Sequence, residues 1–141
     1  MNRVEEKCRV LWFKSVHTRD KVCQVCGVGY STQAHHLFGR DNWPVAYNVK
    51  FGVGLCPKHH REFEAPADLR EKVWDRFIRR LEIIDPDRAA LILKTRESPP
   101  PIVHNPDWES ILEWVTGQYN EIVEQAAYTD DIEPSYGRTI I

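Results

Sequence analysis

Cys23-x-x-Cys26 and Cys56-x-x-His59 supply two close-spaced pairs of soft metal ligands. Two thiolates at this spacing reach one ion when the chain turns sharply between them, and Gly27, directly after Cys26, permits the positive φ such a turn uses. Together the pairs make the tetrahedral donor set of a structural zinc, which assigns Cys23, Cys26, Cys56 and His59 to a Zn²⁺ ion. The competing interpretation is buried thiols without a metal, or a site that uses only one pair.

The stretch around these pairs holds three of the four cysteines and four of the six histidines. Beyond the zinc set, His35, His36 and His60 stay uncommitted. On a helix opening at Pro57, His60 is turned roughly 100° from His59 and faces elsewhere, with Glu64 one turn further along the same face. Cys8, outside the cluster, reads as a small buried hydrophobe, and His17 and His104 as structural or surface residues.

The elements that must position these groups follow from periodicity. Over residues 2–16, Val4, Cys8, Leu11, Trp12 and Val16 recur at three- and four-residue spacing, the stripe of an amphipathic helix. Residues 31–38 read as a short strand. Residues 43–54, rich in aromatic and β-branched side chains, read as a second strand or an extended loop of the same hairpin. Pro57 opens a helix carrying His59 and His60. Leu69, Val73, Trp74, Phe77, Ile78 and Leu81 mark the apolar face of the next, and Asp85-Pro86 caps a further short one. Three prolines at 99–101 make a stiff spacer, after which Asn105-Pro106 caps a last helix to about residue 126.

At 141 residues the chain suits one domain with decorations. No apolar run approaches the ~20 residues that span a bilayer, and the first residues lack the apolar segment of a signal peptide, so a cytoplasmic protein without membrane contact is expected. A reducing compartment favours metal binding over disulfides. The net charge of -2 conceals an asymmetry: residues 1–96 carry 18 Lys+Arg against 12 Asp+Glu (+6), and residues 97–141 carry 1 against 9 (-8). A basic body with an acidic tail suits a polyanion-binding domain whose last segment avoids the polyanion or contacts a partner. Solvated faces that happen to differ are the plainer alternative.

Cys-x-x-Cys, then Ala34-His35-His36-Leu37, then Leu55-Cys56-x-x-His59-His60 resembles the HNH endonuclease family over about residues 19–64. The layout, with an aromatic helix and Arg19-Asp20 ahead of the first cysteine pair, is similar to phage recombination nucleases and related nicking enzymes. The resemblance implies a ββα-metal fold in which His35 and His60 bind a catalytic Mg²⁺ or Mn²⁺, His36 is the general base, and Glu64 stands where many members have another histidine ligand. An imidazole with an ordinary pKa of about 6.5 suits that base. The products would be a 5′-phosphate and a 3′-hydroxyl. The family's central Asn falls here on Phe51. Either the hairpin carries an insertion and Asn48 serves in its place, or another group orients the base.

The expected architecture is therefore α+β, a small ββα-metal core with a zinc knuckle embedded in additional helices. A nuclease domain would span 1–96 with its core at 19–64, a Pro-rich spacer and acidic helix 97–127, and a flexible tail 128–141. Arg40, Lys58 and Arg61 are the candidate DNA contacts, and the acidic helix packs on the body, forms a homodimer or takes a protein partner. The expected activity is metal-dependent DNA cleavage, and the alternative is a zinc-bound nucleic-acid-binding module without catalysis.

Overall fold

The computed structural model describes residues 2–132, and side chains of residues 2–127. Helix α1 (Arg3–Arg19) leads to strand β1 (Gln33–His36), helix α2 (Trp43–Ala46), a 3-10 turn (Val49–Phe51) and strand β2 (Gly52–Leu55). Helices α3 (Pro57–Phe63), α4 (Ala67–Ile84), α5 (Pro86–Glu97) and α6 (Trp108–Ile132) follow. The protein is α+β, mostly helical around one small sheet. No helix among the described residues is long and apolar enough to cross a membrane.

Local signals set most boundaries. Asn2 caps α1, its Oδ1 accepting from the Glu5 amide at 2.7 Å. Asp85 caps α5 the same way, with Pro86 at the first helical position. The last helix begins later than Asn105-Pro106 suggests. Asp107 accepts from the Ser110 amide and hydroxyl at 3.3 and 2.8 Å, while Asn105 takes a left-handed turn, φ 55°. That helix runs past residue 126 to Ile132, and the rest of the expected tail, 133–141, lies outside the described residues.

Strands β1 and β2 pair antiparallel, with His35 opposite Val53 and His36 opposite Gly52. The stretch 43–54 is strand only over its last three residues, where β2 begins. Pro44 at the start of α2 and Asn48, whose Oδ1 accepts from the Lys50 amide at 3.0 Å, turn the remainder into short helical pieces.

The hairpin lies between two cores. On one side Val53 and Leu55 join Phe63, Trp74, Phe77 and Ile92 from α3, α4 and α5. On the other, Trp12 and Val16 of α1 meet Ile111 and Val115 of α6. The acidic helix thus packs back on the body: Gln118 donates to the Tyr47 carbonyl at 3.0 Å and accepts from the Val49 amide at 2.9 Å. Asn42 ties down the proline spacer by donating to the Pro100 and Pro101 carbonyls at 3.0 and 3.3 Å.

A buried polar clamp fixes the hairpin between these layers. Asp20, 3% exposed, receives two hydrogen bonds from Arg19 at 2.8 Å and one from the Gly54 amide at 2.9 Å. Arg19 donates onward to the Val49 carbonyl at 2.7 Å, and buried Arg88 donates to that of Lys50 at 2.8 Å. These bonds satisfy carbonyls that a four-residue ladder leaves without partners.

Candidate metal centres

The first centre is built by a tight turn facing a helix start. Gly27 adopts φ 70° and its amide donates to the Cys23 carbonyl at 2.8 Å, folding Cys23 and Cys26 towards one point. A Cβ on Gly27 would also come within 2.6 Å of the Arg80 guanidinium, which lies against this turn. Gly29 has a second reason to lack a side chain: its Cβ would stand 3.2 Å from that of Cys56. Cys56 is the residue preceding α3, and one turn on, buried His59 points back to the thiols.

The ligand atoms of Cys23, Cys26, Cys56 and His59 all lie within 4.8 Å of one another. His59 Nδ1 is 3.4 Å from Cys23 Sγ and 3.2 Å from Cys56 Sγ. Four donors on a zinc with Zn–S ≈ 2.3 Å and Zn–N ≈ 2.0–2.1 Å would leave sulfur and nitrogen about 3.5 Å apart, so the donor set and its spacing fit the ion. These residues could bind zinc.

Electrostatics agree with that capacity. Burial raises the Cys26 thiol pKa, but the Val28 and Gly29 backbone and the neighbouring Cys23 and Cys56 outweigh it and bring the group to about 7. Burial also raises Cys23, against the amides of Cys26, Cys56 and Val25. Burial lowers His59, opposed by Glu62 and reinforced by Arg76 and Lys58, which keeps a lone pair available. Arg76 approaches His59 Nε2 at 3.4 Å. With Nδ1 on a metal that nitrogen carries hydrogen, so Arg76 contributes positive charge beside a net-negative three-thiolate centre rather than a hydrogen bond.

The second cluster uses the next residue of the same helix. His60 turns away from the thiols towards β1, where its ring meets that of His35 edge-on, centroids 5.3 Å apart. Glu64 reaches back so that its Oε1 is 3.2 Å from His60 Nε2. The ligand atoms of His35, His60 and Glu64 lie within 4.8 Å of one another. These three residues could hold a metal ion.

His36 belongs to the opposite face of β1. Successive strand residues alternate faces, and His35 contacts Phe63 of α3 while His36 lies flat against Trp12 of α1, rings 3.7 Å apart and 4° from parallel. Its Nδ1 is buried without a hydrogen bond. Burial and Arg40, with a smaller push from Arg9, lower its pKa to about 4 against the pull of the Ala46 backbone. His35 is brought to about 4 by burial, then by His60, His36 and Arg40. Both imidazoles are thus more firmly neutral than the ordinary value of 6.5 implies.

Arg40 is exposed, in the turn after β1, close enough to influence both histidines. Lys58 and Arg61 are exposed on α3. Asn48 has its side-chain oxygen committed to Lys50. His104 is exposed and His17 is half-buried against Phe13, apart from both clusters. Two hollows along α6, about 460 and 560 Å³, are lined by none of the clustered histidines. Sequence reasoning treated Trp12 only as core and missed Arg76 and Arg80 beside the thiols. Their sole signal is the four-residue spacing that puts both on one face of α4. Comparison with protein-family models, with curated proteins and with solved structures finds no match to this chain.

Proposed function

We propose that this protein is a divalent-ion-dependent DNA endonuclease of the HNH type, with zinc on Cys23, Cys26, Cys56 and His59 holding its frame. The observation that carries this reading is the division of β1: His35 joins His60 and Glu64 on one face, and His36 stands alone on the other. Displacement at phosphorus is in line, so the attacking water and the leaving oxygen need groups on opposite sides. Neighbouring residues of a strand are ~3.8 Å apart at Cα, close enough for one phosphodiester along the strand edge to meet both.

In this scheme His36 accepts a proton from the attacking water. A bound Mn²⁺ or Mg²⁺ supplies charge stabilisation at the phosphoryl and leaving oxygens. His35, His60 and Glu64 would hold that ion, and the order β1, β2, α3 around them supports a ββα-metal arrangement. Arg40, Lys58 and Arg61 contact neighbouring phosphates, as their exposure and the basic body allow.

A second reading rests on the His60–Glu64 contact, which at 3.2 Å pairs the two side chains without any metal. It makes the chain a zinc-bound nucleic-acid-binding module. Supercoiled plasmid with Mn²⁺ or Mg²⁺ separates the two. We expect nicking or linearisation that requires the added ion and disappears in a folded His36→Ala variant. Retained DNA binding with no cleavage under any divalent ion leaves the binding module.

A further inference from the structure

We infer that Trp12 is the positioning residue for His36, fixing the plane of its imidazole; this rests on the hydrolytic reading above. The rings are parallel within 4° at a centroid distance of 3.7 Å, which is van der Waals contact. Rotating the imidazole about its Cβ–Cγ bond drives a ring edge into the indole, so the stack holds that torsion.

The indole is itself immobilised. Trp12 is 3% exposed and packs in one core with Val16, Ile111 and Val115. Its approach to His36 depends on the residue paired across the hairpin. Gly52 faces His36 in the ladder, and cross-strand partners share a face. A Cβ on Gly52 would come within 2.6 Å of Trp12 Cζ2 and 2.7 Å of Val16 Cγ2. The missing side chain opposite His36 is the space that the indole fills.

Other means of orienting the base are weaker or engaged elsewhere. The Ala46 backbone acts on the imidazole, but Nδ1 of His36 is left without a hydrogen bond of good geometry, and the Asn48 side chain caps the 3-10 turn. Stacking on a buried indole therefore adds the restraint that a hydrogen-bonded side-chain amide would otherwise give.

The experiment measures plasmid cleavage by wild type, Trp12→Leu, Trp12→Phe and Val115→Ala at saturating Mn²⁺, with folding followed by circular dichroism. Misplacing a reacting group by about 1 Å costs up to about a hundredfold, so Trp12→Leu should lower kcat on the order of ten- to a hundredfold with KM for DNA unchanged. Trp12→Phe, which keeps a flat surface, should recover most of the rate. Val115→Ala weakens the same core without touching His36 and should lower the melting temperature while sparing kcat. In a His36→Ala background, Trp12→Leu should cost nothing further. Should Trp12→Leu fail to fold, Trp12→Met fills the volume with a flexible chain and carries the same expectation. Unchanged kcat in the folded variant, an equal loss in Val115→Ala, or an additive loss beside His36→Ala overturns the positioning role alone. A wild-type protein that cuts no DNA overturns the hydrolytic reading and this inference with it.

Discussion

Arg19 and Arg88 donate to one carbonyl oxygen, that of Gly52, at 2.7 and 2.6 Å. Two guanidinium groups tolerate this proximity because Asp20 stands beside them. Burial lowers the Arg88 pKa to about 10, and Arg19 adds to that while Asp20 and Asp85 oppose it. The pair holds the start of β2 from both sides.

Replacing Arg88 with Met should therefore destabilise the fold by roughly 2–4 kcal/mol. It strips the Lys50 carbonyl of its donor and leaves Asp85 and Asp20 with less positive charge nearby. Urea denaturation followed by circular dichroism measures the change; a loss below about 1 kcal/mol would show that water replaces the clamp.

Removal of the zinc ligands tests the first centre. Purified protein should hold tightly bound zinc through gel filtration, and Cys56→Ala should lose both the metal and a cooperative melting transition. Elemental analysis with thermal denaturation decides it. Cooperative melting retained in metal-free protein would mean that the thiols serve only as core.

Divalent-ion binding at the second cluster should depend on His60 and His35, and less on exposed Glu64. Titrating Mn²⁺ and following water proton relaxation, we expect His60→Ala to weaken binding on the order of ten- to a hundredfold while zinc content stays constant. An unchanged Mn²⁺ affinity would leave His60 and Glu64 as a side-chain contact that holds no ion.

The neutral state of His36 gives stability a definite pH dependence. Its folded pKa is depressed to about 4 from 6.5, so between these values the unfolded chain binds the extra proton. The contribution is fully present above 6.5 and is lost as pH falls towards 4. In melts across this range His36→Phe, which keeps an aromatic face for Trp12, should lose stability less steeply than wild type. Equal slopes would show that His36 titrates normally.

Much of both clusters is legible in the sequence because their residues sit at short, local spacings. Cys-x-x-Cys needs only a turn, and the helical rotation between His59 and His60 sends adjacent residues to different partners. The helices from Pro57 to residue 97 are equally legible through their prolines and apolar stripes. Residues 43–54 are not, since the β propensity of Trp43, Val45 and Tyr47 is overridden by Pro44 and by the Asn48 cap. The Trp12–His36 stack is invisible for another reason. An apolar stripe announces that Trp12 is buried, but which ring it meets depends on how α1 crosses the hairpin.

The placement of His59 and His60 on one seven-residue helix makes sequence register a single point of failure. Inserting one residue between Cys56 and His59 would advance the helix by roughly 100°, leaving no imidazole beside the thiols and carrying His59 to the place where His60 meets His35. Both clusters would be disrupted by one codon. Length variation is accordingly poorly tolerated at the start of α3, whereas the exposed turn after β1, where a Cβ on Gly39 would meet nothing within 4 Å, leaves room for it.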